Sequence, residues 1–136
     1  MKIAAVDFGD VRTGLAFSDL TGLISGRALT LICKSRQELI ERIISEVNAE
    51  KAEKIVVGLP LNMDGSEGGR AEKARNFAAL LQEQTNIPVV MWDERQSSVT
   101  ANRLLSDSGK KRQKQRAKVD AVAASVILQS YLDANR

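Results

Sequence analysis

The chain alternates between short apolar runs and polar, glycine-bearing breaks, and the spacing of the apolar positions changes character along it. Lys2 to Phe8, Thr13 to Ser18 (TGLAFS) and Arg27 to Cys33 (RALTLIC) are brief apolar runs separated by Gly-containing turns, which predicts three consecutive strands in an antiparallel meander. After Ser35 the period lengthens. Leu39, Ile40, Ile43, Ile44 and Val47 mark one face of a helix, with Ser35 as N-cap and Glu38 three residues on in a capping box. Lys54 to Gly58 (KIVVG) has the continuous apolar stretch of a strand covered on both faces, and Gly58-Leu59-Pro60 blocks its continuation as helix. A Gly-rich loop runs to Gly69, and a helix follows over Glu72 to Gln84 with Ala71, Ala74, Ala78 and Leu81 on one side. Ile87 to Trp92 (IPVVMW) reads as another buried strand, ending in Asp93, Glu94 and Arg95. Ser97 or Ser98 caps a further helix through Leu105, and Val119, Val122, Ala123, Val126 and Ile127 define a last one. The order βββ-α-β-α-β-α-α implies an α/β fold: a mixed five-stranded sheet, antiparallel in the meander and parallel where helices cross over, flanked by helices.

Length and composition narrow the chemistry. At 136 residues, with no repeat or linker, one domain over residues 1–136 is the expectation. Histidine is absent, so Ser-His-Asp or Cys-His catalysis, histidine-ligated metal and a histidine general base are excluded. Acid-base or metal chemistry falls to carboxylates, Lys, Tyr or water. The single cysteine, Cys33, forms neither an intrachain disulfide nor a Cys-rich zinc site, and cytoplasm is the simplest location. The apolar run Ile3 to Val6 is too short for a signal-peptide core and no apolar stretch reaches 18 residues, so a soluble protein, neither secreted nor membrane-bound, is expected.

The net charge of +3 conceals a local concentration. Residues 110–118 read KKRQKQRAK, with Lys110, Lys111, Arg112, Lys114, Arg116 and Lys118 and no acid, which leaves 14 basic against 17 acidic residues elsewhere. Such a run repels itself and should form a mobile loop. It is either a solvated connector or a polyanion contact, because neutralising phosphates releases counterions and gives strong, salt-dependent attraction.

The acids fall at the ends of predicted elements. In open α/β sheets ligands bind beyond the carboxyl ends of the strands. Asp7 ends the first strand, Asp93 and Glu94 end the last, and Asp120 opens the final helix, where the macrodipole suits an anion. Each acid alone reads as readily as an N-cap, a surface charge or a salt bridge. Together, at three places far apart in sequence, they could meet at one sheet edge. Ligation by oxygen alone suits Mg²⁺ or Mn²⁺, and such ions activate water and steady the leaving oxygen in phosphodiester cleavage. Gly9 and Gly14 flank Arg12 in a tight turn beside Asp7, and GLPLNMDGSEGG (Gly58 to Gly69) could offer backbone N–H groups to a phosphate or simply be a turn-rich connection with Asp64-Gly65 in a β-turn.

Four blocks carry a resemblance. DFGDVRTGLAFSD (Asp7 to Asp19), VVGLPLNMDGSEG (Val56 to Gly68), WDERQSS (Trp92 to Ser98) and KVDAVAASVILQSYLD (Lys118 to Asp133) resemble, in order and over nearly the whole chain, the signature blocks of the YqgF/RuvX family of pre-16S rRNA nucleases, also described as Holliday junction resolvases. The resemblance implies a ribonuclease H-like fold in a bacterial cytoplasmic protein with a divalent-metal nuclease site. Carried over, the family's acidic positions fall on Asp7, on Glu94 and on Asp120. Asp93 matches too, but strand alternation aims neighbours at opposite faces, so only one of Asp93 and Glu94 should point to the metal. Gln96 and Ser97 stand where a hydrophobic residue and Thr are common in the family.

The leading expectation is therefore a metal-dependent endonuclease, with Asp7, Glu94 and Asp120 holding Mg²⁺ or Mn²⁺ and water as nucleophile, acting on precursor rRNA or branched DNA. Arg12, Arg95 and the basic stretch are expected to hold the nucleic acid. A symmetric junction needs two related sites, which favours a homodimer. One alternative is a nucleic-acid-binding ribosome-assembly or DNA-repair factor without catalysis. Another, ranked last, is a phosphotransferase of the actin and sugar-kinase type, which needs two such lobes where this length supplies one.

Overall fold

The computed structural model describes residues 1–96 and 119–135, the side chains of Gln96, Val119 and Asp120 excepted. Three strands, β1 (Ile3–Asp7), β2 (Arg12–Ser18) and β3 (Ser25–Ile32), form the antiparallel meander, followed by α1 (Arg36–Glu50), β4 (Lys54–Leu59), α2 (Gly69–Glu83), β5 (Val89–Asp93), a 3₁₀ turn (Glu94–Gln96) and α3 (Val119–Ala134). The strands lie in the order β3-β2-β1-β4-β5, with β4 parallel to both β1 and β5. The helix read over Ser97 to Leu105 and the basic stretch 110–118 lie outside the described residues. Among the described residues no helix is long and apolar enough to cross a membrane.

Strand alternation divides the core into two layers. Ala4 and Val6 of β1, Leu15 and Phe17 of β2, and Ile55 and Val57 of β4 face α1 and α2, where they meet Ile40, Ile43, Phe77 and Leu81. Ile3 and Ala5, Ala16 and Val56 face the other way, against Ala124, Ile127, Leu128 and Tyr131 of α3. Both faces of β1 and β4 are thus covered, which is why their sequences are apolar at successive positions rather than at every second one.

Boundaries shift for local reasons. α2 begins at Gly69, a turn before Glu72, because Gly68 takes the N-cap position with extended backbone and accepts from the Glu72 N–H at 3.1 Å; the Gly-Gly pair reads as loop in the sequence. β3 starts at Ser25 rather than Arg27, its N–H donating to Gln129 Oε1 of α3 at 3.0 Å. β5 starts at Val89, after Pro88, which lacks the N–H needed for the ladder. The α1 cap has its expected residues in a modified form: Ser35 Oγ accepts from the Glu38 N–H at 3.1 Å, while the Glu38 carboxylate accepts from the N–H of Lys34 rather than of Ser35. α1 ends in a Schellman motif, the Ala52 N–H bonding Val47 O at 3.0 Å and the Lys51 N–H bonding Asn48 O at 3.1 Å, with Lys51 left-handed at φ 58°.

Candidate active site

The carboxyl ends of β1, β4 and β5 come together at one end of the sheet. Alternation decides which side chains meet there. Ile3 and Ala5 face α3, so Asp7, two residues further on, faces the same side. Along β5, Val90 and Trp92 face α3 whereas Val89 and Met91 face α1 and α2. Continuing the count gives the α3 face to Glu94 and the opposite face to Asp93. Glu94 stands just beyond the strand, as the first residue of the 3₁₀ turn, and is half-buried.

The Glu94 carboxyl is in hydrogen-bonding contact with that of Asp7. The Glu94 carboxyl is pushed up to about 7, first by burial and then by the negative charge and hydrogen-bonding reach of the adjacent Asp7, against a partial pull downward from Arg70. Asp93 behaves oppositely. Its carboxylate accepts from the N–H, Nε and Nη2 of Arg95 at 2.9, 3.1 and 2.8 Å, and this ion pair holds it below the usual carboxylate range.

Gly58 of β4 lies between the two acids. It is opposite Trp92 in the ladder and follows Val56 on the α3 face. A Cβ at Gly58 would stand 2.6 Å from Glu94 Oε1 and 2.7 Å from Ile127 Cδ1, so the missing side chain is the space in which the Glu94 carboxyl turns toward Asp7. At the same end the β1–β2 turn is tight enough that a Cβ at Gly9 would collide with the carbonyl of Arg12.

α3 completes this end of the sheet. Tyr131 Oη accepts from Lys54 Nζ at 2.9 Å at the start of β4, while Ile127 packs by Gly58 near its finish, so the helix runs antiparallel to β4. Its first turn, which contains Asp120, therefore continues about 10 Å past Ile127 in the direction of the strand carboxyl ends.

The cations predicted from sequence take different positions. Arg12 opens β2 as an exposed residue and, by alternation with Gly14 opposite Asp7, belongs to the α3 face. Arg95 is committed to Asp93, and its Nη1 also donates to Met63 O at 3.4 Å, which ties the β4–α2 loop to the end of β5. That loop closes with the Gly65 N–H bonding Asn62 O, the turn at Asp64-Gly65 expected from sequence. Three contributors have no obvious mark in the sequence. Gly58 reads as a strand end. Arg70 acts on Glu94 from the first turn of α2, and Lys73, one turn on, pairs with Asp10 at 3.1 Å. The loop glycines hide the start of the helix that carries these two cations.

The chain matches the RuvX family, described as "Holliday junction resolvase", over residues 1–134. It is 44% identical over 133 residues to a protein of Halothermothrix orenii named "Putative pre-16S rRNA nuclease", covering 98% of this chain and 95% of that one. A protein of Syntrophus aciditrophicus with the same name is 44% identical over 134 residues, covering 98% and 89%. Among solved structures, T. thermophilus RuvC in complex with a Holliday junction substrate superposes with a TM-score of 0.67 at 14% identity, covering 99% of this chain and 96% of that one. The Fowlpox virus resolvase bound to Holliday junction DNA gives 0.61 at 15%, covering 99% of each chain. At such identities these structures speak for the shared architecture alone. With its mixed sheet, its helices and the match along nearly all of its length, the chain has a ribonuclease H-like fold and belongs to the RuvX family.

Proposed function

We propose that the chain is a metal-dependent endonuclease that hydrolyses phosphodiester bonds in structured nucleic acid, with the 5′ end of precursor 16S rRNA as its substrate, and that Asp7, Glu94 and Asp120 hold Mg²⁺ or Mn²⁺. The observation that carries this is the placing of the Asp7 and Glu94 carboxyl groups side by side at the carboxyl end of the sheet, with Gly58 leaving the space between them. The pair fits a divalent ion: its donors are all oxygen, and a nearby double charge would draw both carboxyls into the ionised form. Membership of a resolvase family and the names of the relatives support nuclease chemistry. A divalent ion bound there supplies Lewis-acid charge for the phosphoryl oxygens and makes water a better nucleophile at neutral pH.

The chain's own groups do the rest. Asp7 and Glu94 fix where positive charge collects, and Gly58 lets them approach. Arg70 and Arg12 present guanidinium groups suited to a phosphate. Arg95 keeps Asp93 turned away from the pair. Water's oxygen forms the new bond to phosphorus, one bridging P–O bond breaks, and the departing sugar oxygen takes the proton. Precursor rRNA as substrate carries with it a bacterial cytoplasmic location. A four-way DNA junction as substrate would call for two copies of the chain.

The test is cleavage of labelled precursor rRNA and of a four-way DNA junction by the pure protein with Mn²⁺, alongside Asp7→Asn, Glu94→Gln and Asp93→Asn. Asp7→Asn and Glu94→Gln should lose at least about 100-fold in turnover, because a neutral amide cannot replace an anionic ligand, whereas Asp93→Asn should be milder. Mn²⁺ should raise the melting temperature of the wild-type protein and not of Asp7→Asn. Undiminished cleavage by Asp7→Asn overturns the assignment.

A further inference from the structure

A cleft of about 170 Å³ opens on the side of β1 away from the carboxyl pair, between the β1–β2 turn and the start of α1. Its walls include Phe8, the residue after Asp7, together with Gly9, Cys33, Lys34 and Arg36. We propose that this cleft takes the sugar-phosphate of a nucleotide flanking the scissile bond, gripped by Lys34 and Arg36. The inference rests on the nuclease reading above and adds to it a second binding surface.

Charge points to a phosphate. Lys34 and Arg36 are exposed, and among the described residues neither forms an ion pair. The acids nearby are occupied: Asp10 pairs with Lys73, and the Glu38 carboxylate accepts from the Lys34 N–H at 3.1 Å. The Arg36 guanidinium is also held in place. It lies over the Phe8 ring at 5.6 Å, and Phe8 stacks on buried Phe77 with centroids 4.5 Å apart and planes 13° from parallel. A cation seated on a rigid ring loses little freedom when it takes a phosphate.

Size is compatible with a sugar-phosphate unit. Pockets for whole small-molecule ligands run from about 300 Å³ upward, and 170 Å³ is too small for a free nucleotide cofactor. Position points to a neighbour of the scissile bond. Phe8 and Asp7 are consecutive and face opposite sides of β1, so a strand whose phosphate reaches the carboxyl pair has only the edge at the β1–β2 turn to cross before meeting Lys34 and Arg36. Arg12, at the start of β2, stands beside that crossing.

The experiment measures binding in a background that cannot cleave. Asp7→Asn and the triple variant Asp7→Asn/Lys34→Ala/Arg36→Ala are titrated with labelled precursor rRNA across a range of salt, after thermal unfolding has checked that both are folded. The triple variant should bind about tenfold more weakly at about 0.1 M salt, and its salt slope should be shallower by about 1.4 to 1.8, the value for two lost phosphate contacts. Cys33, the chain's only cysteine, reports whether the cleft is filled: saturating RNA should slow its alkylation by iodoacetamide in Asp7→Asn. Parental affinity and slope in the triple variant, or alkylation unaffected by RNA, overturns the proposal while leaving the nuclease reading to stand or fall on the cleavage assay of the wild-type protein.

Discussion

At the scale of single residues, the raised proton affinity of Glu94 beside Asp7 has a measurable consequence. Folded, Glu94 keeps its proton up to about pH 7, against an ordinary value of 4.5. Between those values the folded state binds more protons than the unfolded one, so stability falls as pH rises through this window. In metal-free protein the loss should be on the order of 2 kcal/mol between pH 4.5 and 7.5, read as the midpoint of urea unfolding. Asp7→Asn removes the repelling charge and should flatten that fall. A second expectation concerns Gly58. Gly58→Ala must displace either Glu94 or Ile127, and because the helix is packed along its length the carboxylate is the freer to move. Turnover should drop at least about tenfold while the melting temperature changes by only a few degrees. Of these residues Asp7 stood out in the sequence as an acid ending an apolar run, while Asp93 and Glu94 stood out equally at the end of another and only the family resemblance favoured Glu94. Gly58 did not stand out, since the reason for a glycine there is a side chain 36 positions away, and no local pattern records a contact of that range.

Among the elements, the meander, α1, β4 and β5 were legible because each carries its own pattern: short apolar runs between Gly-bearing turns for the meander, continuous apolar stretches for β4 and β5, and a period of three to four for α1. The start of α2 was not, because its cap is a glycine whose role follows from backbone shape rather than from a side chain. The close of α1 yields a prediction of its own. Lys51 occupies the left-handed position of the Schellman motif, where a side chain is strained and glycine is not. Lys51→Gly should therefore stabilise the protein, by about 0.5–1 kcal/mol, measured by chemical denaturation. The carboxyl pair is far from this end of α1, so the gain should come without change in cleavage.

For the whole molecule, the partition of charge makes the remaining prediction. Residues outside 110–118 carry a net charge of −3, whereas the stretch itself carries +6. If this stretch grips the phosphate backbone, replacing Lys110, Lys111, Arg112 and Lys114 with Gln should weaken RNA and DNA binding alike and reduce the salt slope by up to about 0.9 per lost contact on duplex. Wild-type affinity and slope in that variant would mark the stretch as a solvated connector. The two-sided sheet was readable from sequence as a class of fold, but which face each acid joins depended on counting from packed neighbours, Ile3 and Ala5 for Asp7 and Val90 and Trp92 for Glu94.

The carboxyl pair joins the first strand of the chain to the turn after its last, with β4 between them. During synthesis the N-terminal half leaves the ribosome first, so the meander, α1 and β4 can begin to organise while residue 94 has yet to be made. A nascent chain of that length carries Asp7 but not yet Glu94. The proposed nuclease is thus synthesised without its carboxyl pair, which forms only after β5 has docked beside β4.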